Sequence, residues 1–307
     1  RLLVHLALAS ALGLALMALT FPPWRLAAFF GQAVEHGYSR PFTVYFLGEW
    51  YAGRPPWLWL PVMLAVVPPL GVALTMGGGT LALALRTVRA RDPLAIQLLV
   101  ACAAFGALFL LPFVPRHDGI RQALYLFVLL GVAGGLGLGL TAQAWVGRTK
   151  ETLPRVLLVA ATLLLPASGL VVAWRERPLL LSTFSEAVGG LHGAYYRLRL
   201  EPTYWADAVT PAVLAELNAL LPPGATLAMP FPGEYPFRLR RLGLLRSDIV
   251  PSLDGEYLLL LNRTSLMPMA RKRIEDAQEL QRWERHGVPL LILYRVAKPR
   301  PGDEPGR

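Results

Sequence analysis

"RVLLVAATLLLPASGLVVAWRERP", residues 155–178, decides how this chain divides. From Val156 to Trp174 it is an apolar run with no Asp, Glu, Lys or Arg, long enough for roughly 30 Å of hydrocarbon. At Arg175 the texture changes to the mixed charge of a water-soluble domain. The residues upstream therefore read as membrane-embedded, and those downstream as a separate globular unit.

Upstream, four more runs match the first in length and composition: Leu2 to Thr20, Trp57 to Met76, Leu94 to Phe113 and Ala123 to Gln143. The expected fold is a polytopic α-helical membrane bundle of about five spans over residues 1–174, followed by a small extracytoplasmic α/β domain over residues 175–297. None of the five runs carries an internal Asp, Glu, Lys or Arg, and His5 near the start of the first is the one histidine within them, which speaks against an ion-coupled transporter. The first run leads into Pro-Pro-Trp rather than a small-residue cleavage site, so it reads as a true span, with more chain expected before Arg1.

Composition agrees. Of 307 residues 54% are hydrophobic and 16% charged, against roughly 25% charged in an ordinary soluble domain. The net charge of +10 is concentrated in the apolar half, where residues 1–174 hold 12 basic and 5 acidic residues; residues 175–307 hold 18 and 15. A nucleic-acid-binding domain would place the surplus in its soluble part, so the imbalance reads as membrane orientation and no nucleic-acid partner is expected. Arg86, Arg89 and Arg91 in one short loop, and Arg148, Lys150 and Arg155 in another, mark the cytoplasmic side. The expected location is the inner cell membrane, with everything after Trp174 outside the cytoplasm. Cys102 is the only cysteine, so no intrachain disulfide forms.

In the second half, "TPAVLAELNALLPPG" (210–224) has Thr210 as a cap, Pro211 at the first helical position and Pro-Pro-Gly as a stop. "ATLAMPF" (225–231), "YLLLLNR" (257–263) and "VPLLILYRV" (288–296) read as buried strands. "MARKRIEDAQELQRWERHG" (269–287) reads as one charged amphipathic helix ending at Gly287. Residues 298–307, rich in Pro, Gly and charge, read as a disordered tail.

Four stretches could carry chemistry. In "VPRHDGIRQALYLF" (114–127), Arg116, His117, Asp118 and Arg121 stand at a span boundary. A guanidinium there suits a lipid-borne phosphate, because its planar fork makes two charge-assisted hydrogen bonds; snorkelling into headgroups is the structural alternative. In "PFTVYFLGEWYAGRPPWLWLPV" (41–62), Glu49, Tyr51, Arg54 and Trp57 combine aromatic faces with an acid and a base, as a sugar site does, although tryptophans at this level also form interfacial belts. "SEAVGGLHGAYYRLRLEPTYW" (185–205) holds three glycines and the group Glu201, Tyr204 and Trp205, either a ligand contact or a linker that packs the soluble domain. Asn262-Arg263-Thr264 is formally a glycosylation sequon, but its place at a strand end favours chance. No metal-ligand spacing is present, and His36, His117, His192 and His286 read as scattered surface or interface histidines.

"TVYFLGEWYAGRPPWLWLPVMLAVVPPL", "HDGIRQALYLF", "SEAVGGLHGAYYRLRLEPTYW", "LNALLPPGATL" and "GVPLLILYRV", in that order, resemble the distal part of bacterial polytopic glycosyltransferases related to family 39, the protein O-mannosyltransferase-like enzymes of the GT-C fold. The resemblance runs from Thr43 to Val296. It implies transfer of a sugar from a polyprenyl-phosphate carrier to an extracytoplasmic acceptor, with membrane lipid and lipid-linked sugar as partners and no cofactor or metal evident. Arg121 matches the position near the carrier phosphate, with Arg116, His117 and Asp118 beside it; His117 replaces the family's usual aromatic. The acidic general base of such enzymes lies in an early extracytoplasmic loop, which implies that it precedes Arg1 and that this part alone lacks activity. The alternatives are a non-catalytic membrane-anchored binding or scaffold protein, or a transporter of a lipid-linked substrate.

Overall fold

A computed structural model describes residues 43–52, 55–110, 120, 123–148, 151–204, 206–229 and 235–296. The first expected span, Arg54, Arg116, His117, Asp118, Arg121, Trp205 and the tail lie outside the described residues. Two compact units are present. One gathers Tyr51–Val62 and Gly71–Ala167, the other Tyr45–Trp50, Met63–Leu70 and the chain from Ser168 on.

Strands β1 (Thr43–Phe46) and β2 (Glu49–Ala52) form a hairpin whose turn, Leu47-Gly48, takes positive φ at both residues. This is the two-residue turn whose twist suits paired strands. Five helices follow: α1 (Trp59–Val66), α2 (Leu70–Ala90), α3 (Pro93–Leu108), α4 (Leu124–Arg148) and α5 (Thr152–Arg175). Among the described residues, α2, α4 and α5 are long and apolar enough to cross a membrane.

This corrects one of the expected spans and leaves another unconfirmed. The run from Trp57 to Met76 is not one helix, because Pro68-Pro69 ends α1 after eight residues and the long helix begins at Leu70. Proline lacks the amide hydrogen and disfavours helix in the residue before it, so an apolar run containing two prolines divides there. The run from Leu94 to Phe113 supplies α3, 16 residues with a rise of about 24 Å, and residues 111–113 of that run lie outside the described residues. Asp92 caps it, its carboxylate accepting from Leu94 N–H at 3.0 Å, and Pro93 takes the first helical position.

Helix α2 opens into one wide π-helical turn at Thr75–Gly79, and there it meets α4 backbone to backbone. A Cβ on Gly79 would strike the Gly134 carbonyl, one on Gly134 the Thr75 carbonyl and one on Gly137 the Gly79 carbonyl. Beside this crossing Leu83, Ala95, Cys102 and Ala133 form the core of the helical unit. Trp59, Phe109 and Tyr125 add an aromatic row, with ring centroids 6.4 and 6.2 Å apart.

The second unit holds α6 (Gly190–Tyr196), α7 (Pro211–Leu220), α8 (Tyr235–Arg241), α9 (Met267–Ile274) and a five-stranded mixed sheet. Its strands are β3 (Thr226–Ala228), β4 (Val250–Pro251), β5 (Tyr257–Leu261), β6 (Gln278–Arg285) and β7 (Val288–Arg295), in the order β4-β3-β5-β7-β6. β5 and β7 pair antiparallel through Leu259↔Leu293 and are buried on both faces. Helix α9 packs over Ala228, Leu258 and Leu260 through Met267, Ala270 and Ile274, and α6 lies against β7.

The stretch 269–287 is a further correction. Its helix stops at Ile274, and Gln278–Arg285 forms edge strand β6, turning into β7 through His286-Gly287 with φ of 49° and 73°. Polar residues sit on both faces of β6, so no alternation betrays a strand; charge on an edge strand also keeps it from pairing with another chain. Thr210 does cap α7, accepting from Val213 N–H, with Pro211 at its first position.

Candidate functional site

A half-open cavity of about 430 Å³, with walls that mix charged and apolar side chains, lies within the α/β unit. It begins where α5 ends, at Arg175 and Glu176, and continues along Ser182, Thr183 and Phe184, through Glu186 and Gly189 to His192, and across to His286.

Each wall has a local cause. Ser185 caps a single helical turn, its hydroxyl accepting from Ala187 N–H at 3.3 Å. Gly189 and Gly190, both at positive φ, reverse the chain and start α6. Gly193 has no Cβ, which lets the Val188 carbonyl approach closely. The β6–β7 turn forms the opposite wall, held by Tyr196 Oη donating to the Gly287 carbonyl at 3.1 Å.

Glu176 is the electrostatic centre, its side chain only 7% exposed. Arg285 donates to Oε2 from Nη2 at 2.8 Å and Nε at 3.1 Å, His286 Nε2 lies 3.2 Å from the same oxygen, and Arg175 Nε donates to Oε1 at 2.8 Å. Burial alone pushes the carboxyl up. The hydrogen bonds from Arg175, His286 and Arg285 outweigh it and hold Glu176 down at about 2. A carboxylate so held is an ionised clamp between the end of α5 and the β6–β7 turn.

Ser182, one of the lining residues, is buried, and its hydroxyl has no partner among the described residues. Asp207 accepts from Thr203 Oγ1 at 3.1 Å and from Leu181 N–H, yet its Oδ2 is also buried without a partner among the described residues. Burial raises the Asp207 carboxyl. Glu186 Oε2 accepts from Leu70 N–H at 2.9 Å. No group of three or more His, Cys, Asp or Glu among the described residues is arranged to hold a metal.

The residues singled out in the sequence fall elsewhere. Glu49 is exposed on β2, Tyr51 half-buried beside it, and Trp57 is 66% exposed before α1. Glu201 is fully buried and accepts from Ser265 N–H at 2.6 Å with Arg263 Nε at 3.8 Å; Arg263 also donates to the Tyr204 carbonyl at 3.2 Å. Glu201 and Tyr204 therefore fasten their loop to the segment after β5. Asn262 is buried, its amide donating to the Pro289 carbonyl at 2.6 Å and to Tyr195 Oη at 3.3 Å, which leaves the sequon no accessible nitrogen. Glu176, Ser182 and His286 carry no motif of their own. The signal that could have drawn attention is "WRERP" directly after a span, where an acid stands between two arginines. No family model, curated protein or solved structure matches this chain.

Proposed function

We propose that the chain is part of an integral-membrane glycosyltransferase that moves a sugar from a polyprenyl-phosphate carrier to an extracytoplasmic acceptor, with the α/β unit outside the inner membrane. One observation supports this reading: the cavity starts at Arg175, the last residue of a 24-residue helix long and apolar enough to cross a membrane, so that helix and the charged groups of the cavity wall are covalently continuous. A ligand whose polar head rides on a lipid is the kind that such a layout serves. The ordered motifs from Thr43 to Val296 add the carrier-phosphate role of Arg121, with Arg116, His117 and Asp118 beside it.

In the full-length protein, Arg121→Ala should abolish transfer from a polyprenyl-phosphate sugar while folding is kept, and Arg121→Lys should impair it by removing the bidentate fork. Undiminished transfer in Arg121→Ala would sink the assignment. A membrane-anchored binding protein is the second reading, favoured by the cavity's being built entirely from residues of the α/β unit. Binding in the cavity without transfer by the full-length protein would select it.

A further inference from the structure

We infer that the outer face of helix α8, at the β4 edge of the sheet, docks on an anionic phospholipid surface. The inference rests on the membrane half of the reading above and not on sugar transfer.

The β3–α8–β4 crossover closes one edge of the sheet, with Thr226 paired to Val250 in parallel. Pro236 and Leu239 turn one side of α8 inward, where they are buried. The other side shows Phe237, Arg238, Arg241 and, one residue past the helix, Leu242, all exposed. Phe237 with Arg241 and Arg238 with Leu242 are each four residues apart, and Leu242 N–H still donates to the Arg238 carbonyl, so the four share one face. Val250 on β4 and Leu253 just after it are exposed as well. Four large apolar side chains left in water on one crossover mark a surface that meets something apolar.

Charge selects the occupant. Within residues 235–253, Arg238, Arg240, Arg241 and Arg246 stand against Asp248, a surplus of three. Residues 175–307 hold 18 basic and 15 acidic residues, the same surplus, so the rest of this half is balanced. Arg246, Arg263, Arg282 and Arg285 each meet a carboxylate. Arg238 and Arg241 form no ion pair among the described residues. A second copy of the chain would bring the same positive face, and two such faces repel. A lipid surface answers both features: a guanidinium fork grips a headgroup phosphate while Phe and Leu beside it enter the boundary between headgroups and acyl chains. The same chain holds helices long and apolar enough to cross a membrane. A bilayer that holds them keeps this face at high effective concentration, so a modest contact suffices.

The test uses the full 307-residue chain with Cys102→Ser, which removes the one native thiol, and Leu242→Cys carrying the environment-sensitive dye NBD. The chain is placed in nanodiscs of phosphatidylcholine, with and without phosphatidylglycerol, that contain headgroup-spin-labelled lipid. With phosphatidylglycerol the Leu242→Cys dye should shift to the blue and be quenched. A dye at Leu280→Cys, on β6 at the opposite edge of the sheet, should stay in water in both discs. Each arginine beside an anionic surface strengthens binding about fivefold, so Arg238→Gln with Arg241→Gln should lower the docked-to-free ratio about 25-fold. Both arginines are exposed, so this variant keeps the fold. Equal behaviour of the two dyes, a shift of the same size without phosphatidylglycerol, or a shift that survives the double substitution would overturn the inference. So would a shift seen only in discs holding two chains, which would assign the face to a second copy. Failure of the chain to enter nanodiscs would overturn the membrane reading along with it, whereas an embedded chain with its Leu242→Cys dye in water would overturn the docking alone.

Discussion

The two units solve opposite packing problems with the same twenty residues. In the helical unit the closest contacts are made by Gly79, Gly134 and Gly137, while large side chains point outward: Val88 is 80% exposed, and Leu85, Leu163 and Leu164 are all exposed. In the α/β unit the arrangement inverts, with Leu258 to Leu261 and Leu290 to Leu293 buried and the charges of β6 outside. Leucine gains nothing from burial when its surroundings are as apolar as itself, so helices meant for lipid hold together by close backbone approach instead. In water the same leucines supply the driving force.

The sharpest way to break this contrast is to put a side chain where the helices touch. Gly137→Leu places atoms on the Gly79 carbonyl, and overpacking against backbone costs more than about 3 kcal/mol because no rotamer relieves it. The α2–α4 pair should separate, read as loss of the folded fraction in an SDS titration. Gly135→Ala, two residues away with nothing within 4 Å of its Cβ position, should leave the transition unchanged or raise it slightly. Equal effects of the two substitutions would remove the claim that the crossing depends on missing Cβ atoms.

The next largest effect lies in the α/β unit. Glu176→Gln leaves Arg285 without its carboxylate and should cost roughly 3 kcal/mol at neutral pH, since breaking a buried ion pair strands the remaining charge. The sign with pH is fixed by the lowered carboxyl. Glu176 moves from an ordinary 4.5 to about 2, so its stabilisation is complete above 4.5 and is lost as the pH falls toward 2. Thermal unfolding followed by tryptophan fluorescence should show that loss in the wild type and a flatter profile in Glu176→Gln. Parallel profiles would mean that Glu176 does not hold the turn.

How much of this could be read from sequence follows the same division. Long apolar runs announce α4 and α5, because a lipid-facing helix must be apolar nearly all round. The same signal misleads at Trp57 to Met76, where composition hides what Pro68 and Pro69 do to the backbone. Strands β5 and β7 are plain, being continuous runs of leucine and isoleucine. Strand β6 is hidden because an exposed edge strand of mixed charge resembles the polar side of a helix; the turn residues His286-Gly287 are its one local mark. The cavity is hidden for a different reason. Its walls come from residues 175–192 and from a turn about a hundred residues later, and only the sheet brings Arg285 to Glu176.

Strand β6 also offers the smallest predicted effect, and the most pointed. Arg282 and Arg285 stand three residues apart on one strand and make the same kind of contact, two nitrogens on a carboxylate. Arg282 reaches Glu279 with both distances at 2.9 Å, geometry as good as that of Arg285 on Glu176. What differs is water: the Arg282 and Glu279 side chains are 45% and 37% exposed, those of Arg285 and Glu176 20% and 7%. Solvent screens the first pair, and holding two long side chains in one geometry consumes most of what attraction remains. Arg282→Ala should therefore cost less than about 1 kcal/mol and leave the acid transition of Glu176 in place, measured in the same fluorescence melts. A loss as large as that of Glu176→Gln would mean that edge-strand pairing, and not burial of the carboxylate, is what fixes the β6–β7 turn over the cavity.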